Sequence, residues 1–232
     1  MDFTLRAAKE FRFDFETHAG AYPLHIYTDP DREKINYYWN NRGIDILWHD
    51  LGETDDYIQA EENPCLPCQK LRKRMLKNIL ISSIDDWKNL VLITSYTLWD
   101  IVSYSMEHML GGVFSNSGQG IGIEQTERFR ETAQRFYPLI RMKEGYSIFR
   151  PLIKFNGNDI LELIAQENIP ILSVPCKFKN FRPKRILEKY YETMGIRFDY
   201  DKVFDFARKS LDLPDITSYT SITKEEYLDR IF

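Results

Sequence analysis

Leu90-Val91-Leu92-Ile93-Thr94, running straight into Ser95-Tyr96-Thr97-Leu98-Trp99-Asp100-Ile101, sets the reading of the fold. The first five residues form an apolar run that predicts a buried strand, and the second stretch begins a helix through about Leu110. Working outward, the same alternation recurs. On the N-terminal side, residues 3–17 carry Leu5, Ala8, Phe11 and Phe15 at helical spacing, and Gly20 ends that unit. Tyr22–Tyr27 predicts a strand, Asp31–Arg42 a helix stopped by Gly43, and Ile44–His49 a further strand. An acidic linker then leads through Pro64 and Cys65-Leu66-Pro67-Cys68 into a helix ending near Leu80. On the C-terminal side, a loop with Gly118, Gly120 and Gly122 precedes a charged helix, Glu124–Phe136. Strand Ile148–Ile153, helix Asn158–Glu167 and strand Ile169–Val174 follow, and Pro175-Cys176 comes next. The tail from Arg182 to Phe232 reads as helical.

Strands alternating with helices predict an α/β fold: a Rossmann-like parallel sheet with helices on both faces. This domain spans residues 1–181, and a helical extension occupies 182–232. Ligands gather at the carboxyl ends of strands in such sheets, and both cysteine loops lie downstream of strands. One feature departs from the usual order. A doubly wound nucleotide-binding domain opens with a strand and a Gly-rich turn, whereas this chain opens directly with a helix.

The 232 residues include 43% hydrophobic and 14% aromatic side chains, enough for a core without disulfides. Lys and Arg number 31 against 35 Asp and Glu, a net charge of -4, which excludes a uniformly basic nucleic-acid coat but not a local basic patch. The longest apolar stretch, Leu90–Trp99, is broken by Thr94, Ser95 and Thr97 and is too short for a bilayer. Met1-Asp2-Phe3-Thr4 lacks the basic start of a signal peptide. The expectation is a cytoplasmic protein without membrane contact. The chain has three cysteines. An odd count in a reducing compartment argues against a disulfide framework and leaves free thiols, a redox pair plus one, or a shared metal.

Four stretches carry a resemblance to a known superfamily. They are Asn63-Pro64-Cys65-Leu66-Pro67-Cys68-Gln69-Lys70-Leu71-Arg72-Lys73-Arg74; Ser95-Tyr96-Thr97-Leu98-Trp99-Asp100-Ile101; Arg150-Pro151-Leu152 with Asn158-Asp159-Ile160; and Ile169-Pro170-Ile171 to Val174-Pro175-Cys176. In this order they resemble the PP-loop ATP pyrophosphatases, whose fold is adenine-nucleotide-hydrolase-like, and especially the enzymes that make 2-thiocytidine in tRNA. The family's Ser-Gly-Gly-x-Asp-Ser loop is not present whole. Met1-Asp2-Phe3-Thr4-Leu5 resembles its later half, which leaves two expectations: a chain that starts inside that loop, without the first strand and with Asp2 as the loop's aspartate, or an ordinary start at Met-Asp. The family's two histidines after the central strand are Tyr96 and Thr97 here. Lys179 stands where some relatives have the last cysteine of a second Cys-x-x-Cys.

The resemblance implies an ATP-dependent sulfurtransferase that thiolates a base in tRNA or a related small heteroaromatic. Cys65, Cys68 and Cys176 would hold a [4Fe-4S] cluster with one iron free of protein sulfur. ATP and Mg²⁺ would be needed, with Asp2, Asp29, Thr94 and Ser95 near the nucleotide and Asp100 and Arg150 as catalytic candidates. A sulfur donor and a homodimer complete the expected partners. Cations flank both cysteine loops and suit thiolates: Lys70, Arg72, Lys73 and Arg74 after the first, Lys177, Lys179, Arg182, Lys184 and Arg185 after the second. Lys70, Arg72, Arg74, Lys179 and Arg182 are also candidates for RNA phosphate, with Phe178 and Phe181 for stacking or for packing on the sheet.

Several alternatives stand beside these readings. Zinc is the competing metal, with His49 or His108 as fourth ligand; a redox pair would leave Cys176 idle. Asp100 reads equally as a first-turn helix acid, and Arg150 as a salt-bridge partner. The glycines at 118, 120 and 122 follow a helix and lack a Gly-Lys-Ser/Thr, so they predict a loop over the site rather than a Walker loop. At the level of function, the alternatives are a degenerate PP-loop domain serving as a binding or assembly module, and an ATP-dependent amidotransferase.

Overall fold

The computed structural model describes residues 1–21, 29–50, 58, 60–110, 129–171, 178 and 183–231. They divide into two units, Met1–Arg72 with Leu163–Lys179, and Lys73–Glu162 with Asn180–Phe232.

In the first unit, helix α1 (Asp2–Phe11) stops where Arg12 turns left-handed at φ 56°. It is shorter than the expected 3–17 because that turn sends the chain into strand β1 (Thr17–Ala21). β1 pairs in parallel with β2 (Ile46–Asp50), in register from Thr17↔Ile46 to Ala21↔Asp50. The strand expected at Tyr22–Tyr27 lies outside the described residues; the paired segment begins earlier. Between the two strands, α2 (Asp29–Asn40) is followed by Gly43 at φ 79°, a conformation that favours glycine. Ile35 and Trp39 of α2 and Ile44 form a buried cluster, packed by Leu5, Phe15, Ile46, Trp48 and Ile169. The period of two along β2 turns Ile46 and Trp48 toward this cluster and leaves Leu47 exposed. On Leu47's face, His49 Nε2 meets His18 Nδ1 at 2.9 Å.

Helix α3 (Cys65–Ser83) starts at the first cysteine. In the second unit, β3 (Val91–Ile93), β4 (Leu139–Arg141) and β5 (Ser147–Phe149) make a sheet of order β3-β5-β4, with β3 parallel and β4 antiparallel to β5. One all-parallel sheet was expected. The described residues instead form a small parallel sheet and a small mixed sheet. The Leu90–Thr94 strand also differs from expectation. Leu92 packs on the core, but Val91 and Ile93 are 50% and 42% exposed, on the face shared with Leu139 and Phe149. The next expected strand, Ile148–Ile153, ends at Phe149 because the chain turns through residues 151–154 at Pro151.

Around this sheet lie α4 (Leu98–Met109), a helical turn at 129–133 continuing into the 3₁₀ turn Gln134–Phe136, and α5 (Gly157–Gln166). The tail is helical, with α6 (Pro183–Thr193), α7 (Tyr200–Ser210), α8 (Thr217–Thr220) and α9 (Lys224–Glu226). Tyr191, Ala207, Leu211, Leu213, Tyr219 and Tyr227 from this tail share one buried cluster with Leu98, Trp99, Ile101, Ile140 and Ile148. Asn156 locks tail to sheet domain: its side chain donates to the Phe198 carbonyl at 3.1 Å and accepts from the Phe198 amide at 2.8 Å. Among the described residues, no helix is long and apolar enough to cross a membrane.

Candidate functional site

Two groups of side chains carry the chemistry, one in each unit. In the first unit, Cys65 and Cys68 sit in the opening turn of α3, Cys65 half-buried and Cys68 buried. The Asn63 side chain accepts from the Cys65 amide at 3.2 Å and so fixes the start of the helix. Three residues of helix place both sulfurs on the first turn, where the positive end of the helix dipole favours anionic sulfur. Phe178 closes on the pair. Cys65 Sγ lies 3.8 Å from the Phe178 carbonyl oxygen, and the Phe178 ring packs against a buried cluster of Cys68, Leu71 and Ile58. Phe178 thus packs against α3 rather than on the sheet, where packing was expected.

Phe178 follows Cys176 by two residues in the sequence. Cys176, Lys179 and Arg182 themselves lie outside the described residues. Among the described residues no group of three or more His, Cys, Asp or Glu is placed to hold a metal. The donor set nevertheless fits an iron–sulfur cluster: two sulfurs one turn apart, and the neighbour of the third against them. The histidines considered for zinc have other partners. His49 meets His18, and His108 stacks on Phe129 with centroids 4.0 Å apart. Lys70 and Arg74 are exposed on α3 and Arg72 is half-buried.

In the second unit, the residues after β3 and β5 converge. Thr94 donates its amide to the Phe149 carbonyl at 3.0 Å, extending the β3–β5 ladder to the position beside Arg150. Ser95 is exposed. Asp100 is committed to its own helix: Oδ2 accepts from the Thr97 amide at 2.7 Å and the Thr97 hydroxyl at 2.8 Å, and Oδ1 pairs with Lys184. It is therefore a capping acid with a lysine partner. Arg150 is 2% exposed and donates to the Tyr137 carbonyl at 2.9 Å and the Gln134 side chain at 3.1 Å. Burial lowers its pKa to about 10. Among the described residues no salt bridge to it forms, and its hydrogen-bond partners there are neutral.

Arg135 was missed by the sequence reading, which placed it in a charged helix. Its guanidinium lies 4.9 Å from the Tyr96 ring and 4.8 Å from the Tyr104 ring. Burial opposes its charge, but Tyr104, Tyr96 and Asp100 more than offset that and raise its pKa. No sequence motif marks it. The available signal was Tyr96 in place of a family histidine. In the first unit, Asp2 pairs with Arg6 at 2.8 Å, and Asp29 opens α2 with its side chain outside the described set.

The chain is similar in structure to the U34-tRNA thiolase NcsA from Methanococcus maripaludis, solved with its [4Fe-4S] cluster. The TM-score is 0.64 over 92% of this chain and 69% of that chain. The fold resembles that of a tRNA thiolase. At 11% identity the likeness to the thiolase is one of fold, and it agrees with the superfamily resemblance read from the four sequence stretches. No family model matches the sequence. No curated protein matches it either.

Proposed function

We propose that the chain is an ATP-dependent sulfurtransferase that thiolates a base in tRNA or a related small heteroaromatic. The observation that carries this reading is the Cys65–Phe178 contact, set in a thiolase-like fold. In the reaction, a carbonyl oxygen of the substrate attacks the α-phosphorus of ATP and pyrophosphate leaves. A sulfur nucleophile then adds at the activated carbon, and AMP departs with the former carbonyl oxygen.

Cys65, Cys68 and Cys176 would hold a [4Fe-4S] cluster, which when bound supplies an iron without a protein thiolate, suited to carrying the sulfur to be transferred. The start of α3 orients the first two thiolates, and Phe178 covers Cys68 against water. Lys70, Arg72, Arg74, Lys179 and Arg182 would receive RNA phosphates. Asp2, Asp29, Thr94 and Ser95 remain the nucleotide candidates, with Mg²⁺ assisting the departing pyrophosphate. The doubly wound order of the sheet, a cytoplasmic location and a homodimer belong to the same reading.

Anaerobic purification tests it. The protein is expected to be brown, with iron and sulfide in cluster proportion, and to lose colour in Cys65→Ala, Cys68→Ala and Cys176→Ala. A colourless protein with stoichiometric zinc would defeat it. One observation favours a second reading, a binding or assembly module: Tyr96 and Thr97 stand where the superfamily it resembles has two histidines after the central strand. Calorimetry with ATP separates the two, since a module without nucleotide chemistry shows no heat of binding.

A further inference from the structure

In the first unit, two histidines meet across a pair of parallel strands. His18 of β1 stands opposite Leu47, and His49 of β2 stands opposite Gly20, so the two rings are diagonal neighbours on one face. His18 Nδ1 lies 2.9 Å from His49 Nε2, the ring planes are within 14° of parallel, and the centroids are 5.2 Å apart. The centroid spacing exceeds the nitrogen separation by about two ring radii. The rings therefore meet nitrogen to nitrogen in nearly one plane, which is the arrangement of an N–H···N hydrogen bond and not of a face-to-face stack.

Glu16 fixes the direction of that bond. Its Oε2 lies 3.2 Å from His18 Nε2. A carboxylate only accepts, so His18 carries its proton on Nε2 and Nδ1 is left as an acceptor. His49 Nε2 then donates to it. The contact matters to β1 because little else ties that strand down. A two-stranded ladder is marginal by itself. Its five residues, Thr17–Ala21, contribute nothing to the apolar cluster on the opposite face, where β2 supplies Ile46 and Trp48.

We propose that His18 and His49 form a pH-sensitive clasp between β1 and β2, closed while the pair holds at most one proton beyond neutral and open when both rings are charged. Among the described residues His49 Nδ1 has no hydrogen-bond partner, so the first added proton enters there. That proton leaves the bond in place and makes it charge-assisted. A second proton must enter at His18 Nδ1, the acceptor. Two imidazolium N–H groups then face each other, the bond is lost and like charges repel. Glu16 is the charged group in contact with the pair, and its side chain is 70% exposed, so solvent screens most of what it could offset. α1 and α2 pack on the other face through Leu5, Ile35 and Trp39, and among the described residues none of their ionisable groups pairs with either ring. The sign follows from proton counts. The separated strands take up two protons and the clasped ones at most one, so the pairing is fully held above the pH range in which histidine charges and is lost as pH falls through it. The clasp is independent of the cysteine chemistry and of ATP.

Nitrogen NMR of the full chain with labelled histidine, together with amide hydrogen exchange, tests the clasp. Above about pH 8 both rings are expected to carry the proton on Nε2. On acidification His49 Nδ1 should protonate first and His18 Nδ1 in a separate, later step. Exchange protection of the amides of residues 18–21, corrected for the intrinsic pH dependence of exchange, should fall about tenfold between about pH 7.5 and 5, while β3 and β5 keep theirs. In His18→Asn the side-chain carbonyl replaces Nδ1 as an acceptor that never protonates, so the clasp should persist and the acid sensitivity disappear. That outcome separates a switch from a merely structural contact. Unchanged protection of β1 in acid would overturn the proposal, as would an equal loss in His18→Asn. So would protonation of His18 Nδ1 before, or together with, His49 Nδ1, a result read on the wild type and therefore decisive even if the variant does not fold.

Discussion

Gly157→Ala tests the packing that supports the second unit. Gly157 opens α5, and a Cβ built there lies 2.5 Å from Cζ3 and 2.7 Å from Cδ2 of Trp99, with Cε3 closer still. Ordinary carbon contacts begin near 3.5 Å, so the indole must retreat by about 1 Å. It has little room to do so. Trp99 is 5% exposed and meets Tyr191 edge-on with centroids 5.8 Å apart. Overpacking of this kind costs about 1–3 kcal/mol, and a backbone-side approach to a rigid ring belongs at about 2–3. The sign is decisive. Gly157 is not in the left-handed region, so alanine without the clash would stabilise by about 0.4–1 kcal/mol. For a chain of this length the loss corresponds to a midpoint drop of about 4–12 °C. Urea denaturation followed by far-ultraviolet circular dichroism measures it. Repeating the substitution in a Trp99→Phe background isolates the contact, since the smaller ring leaves space. A Gly157→Ala change within about 0.5 kcal/mol of wild type, or an equal cost in both backgrounds, would refute the reasoning.

Two other predictions follow from charge. Burial raises the pKa of Tyr146, Tyr200, Tyr219 and Tyr227, and Tyr200 and Tyr219 donate to the Phe136 and Arg130 carbonyls. Above about pH 10 the unfolded chain loses protons that the native chain keeps, so stability is complete below that pH and falls as pH rises, by up to about 1.4 kcal/mol per pH unit for each phenol; denaturation at several alkaline pH values, with tyrosinate absorbance alongside, checks the slope. Asp100→Asn keeps an acceptor for Thr97 but removes the charge facing Lys184, so stability should fall by about 1.5–3 kcal/mol, as urea denaturation would show; an unchanged midpoint would mean that the pair contributes nothing.

The sequence disclosed most elements whose signal is local. α2, β2, α3 and α4 lie within a few residues of their expected bounds, because caps, Gly43 and apolar spacing act at short range. Features set by distant partners stayed hidden. Thr17-His18-Ala19-Gly20-Ala21 has little strand propensity and becomes β1 by pairing with β2. β4 is three residues long after Pro138, too short to show a period. The apolar composition of Val91 and Ile93 suggested burial on both faces, but β3 is an edge strand among the described residues, and only Leu92 faces the core. For the candidate site, Cys-x-x-Cys was legible from spacing. The approach of Phe178 to Cys65 spans 113 positions and could be expected only from topology.

The departures from the superfamily pattern after β3 have a physical account. Tyr96 and Thr97 stand where the superfamily that the sequence resembles carries two histidines, which on sequence alone put nucleotide contacts there in doubt. The structure gives each a specific task. The Tyr96 ring flanks the Arg135 guanidinium, and Thr97 caps α4 by donating to Asp100, whose other oxygen pairs with Lys184. Arg135 comes from the turn Gln134–Phe136 and Lys184 from α6, far apart in the chain. Charge recruited from such distant segments cannot be recognised by a motif at positions 95–101.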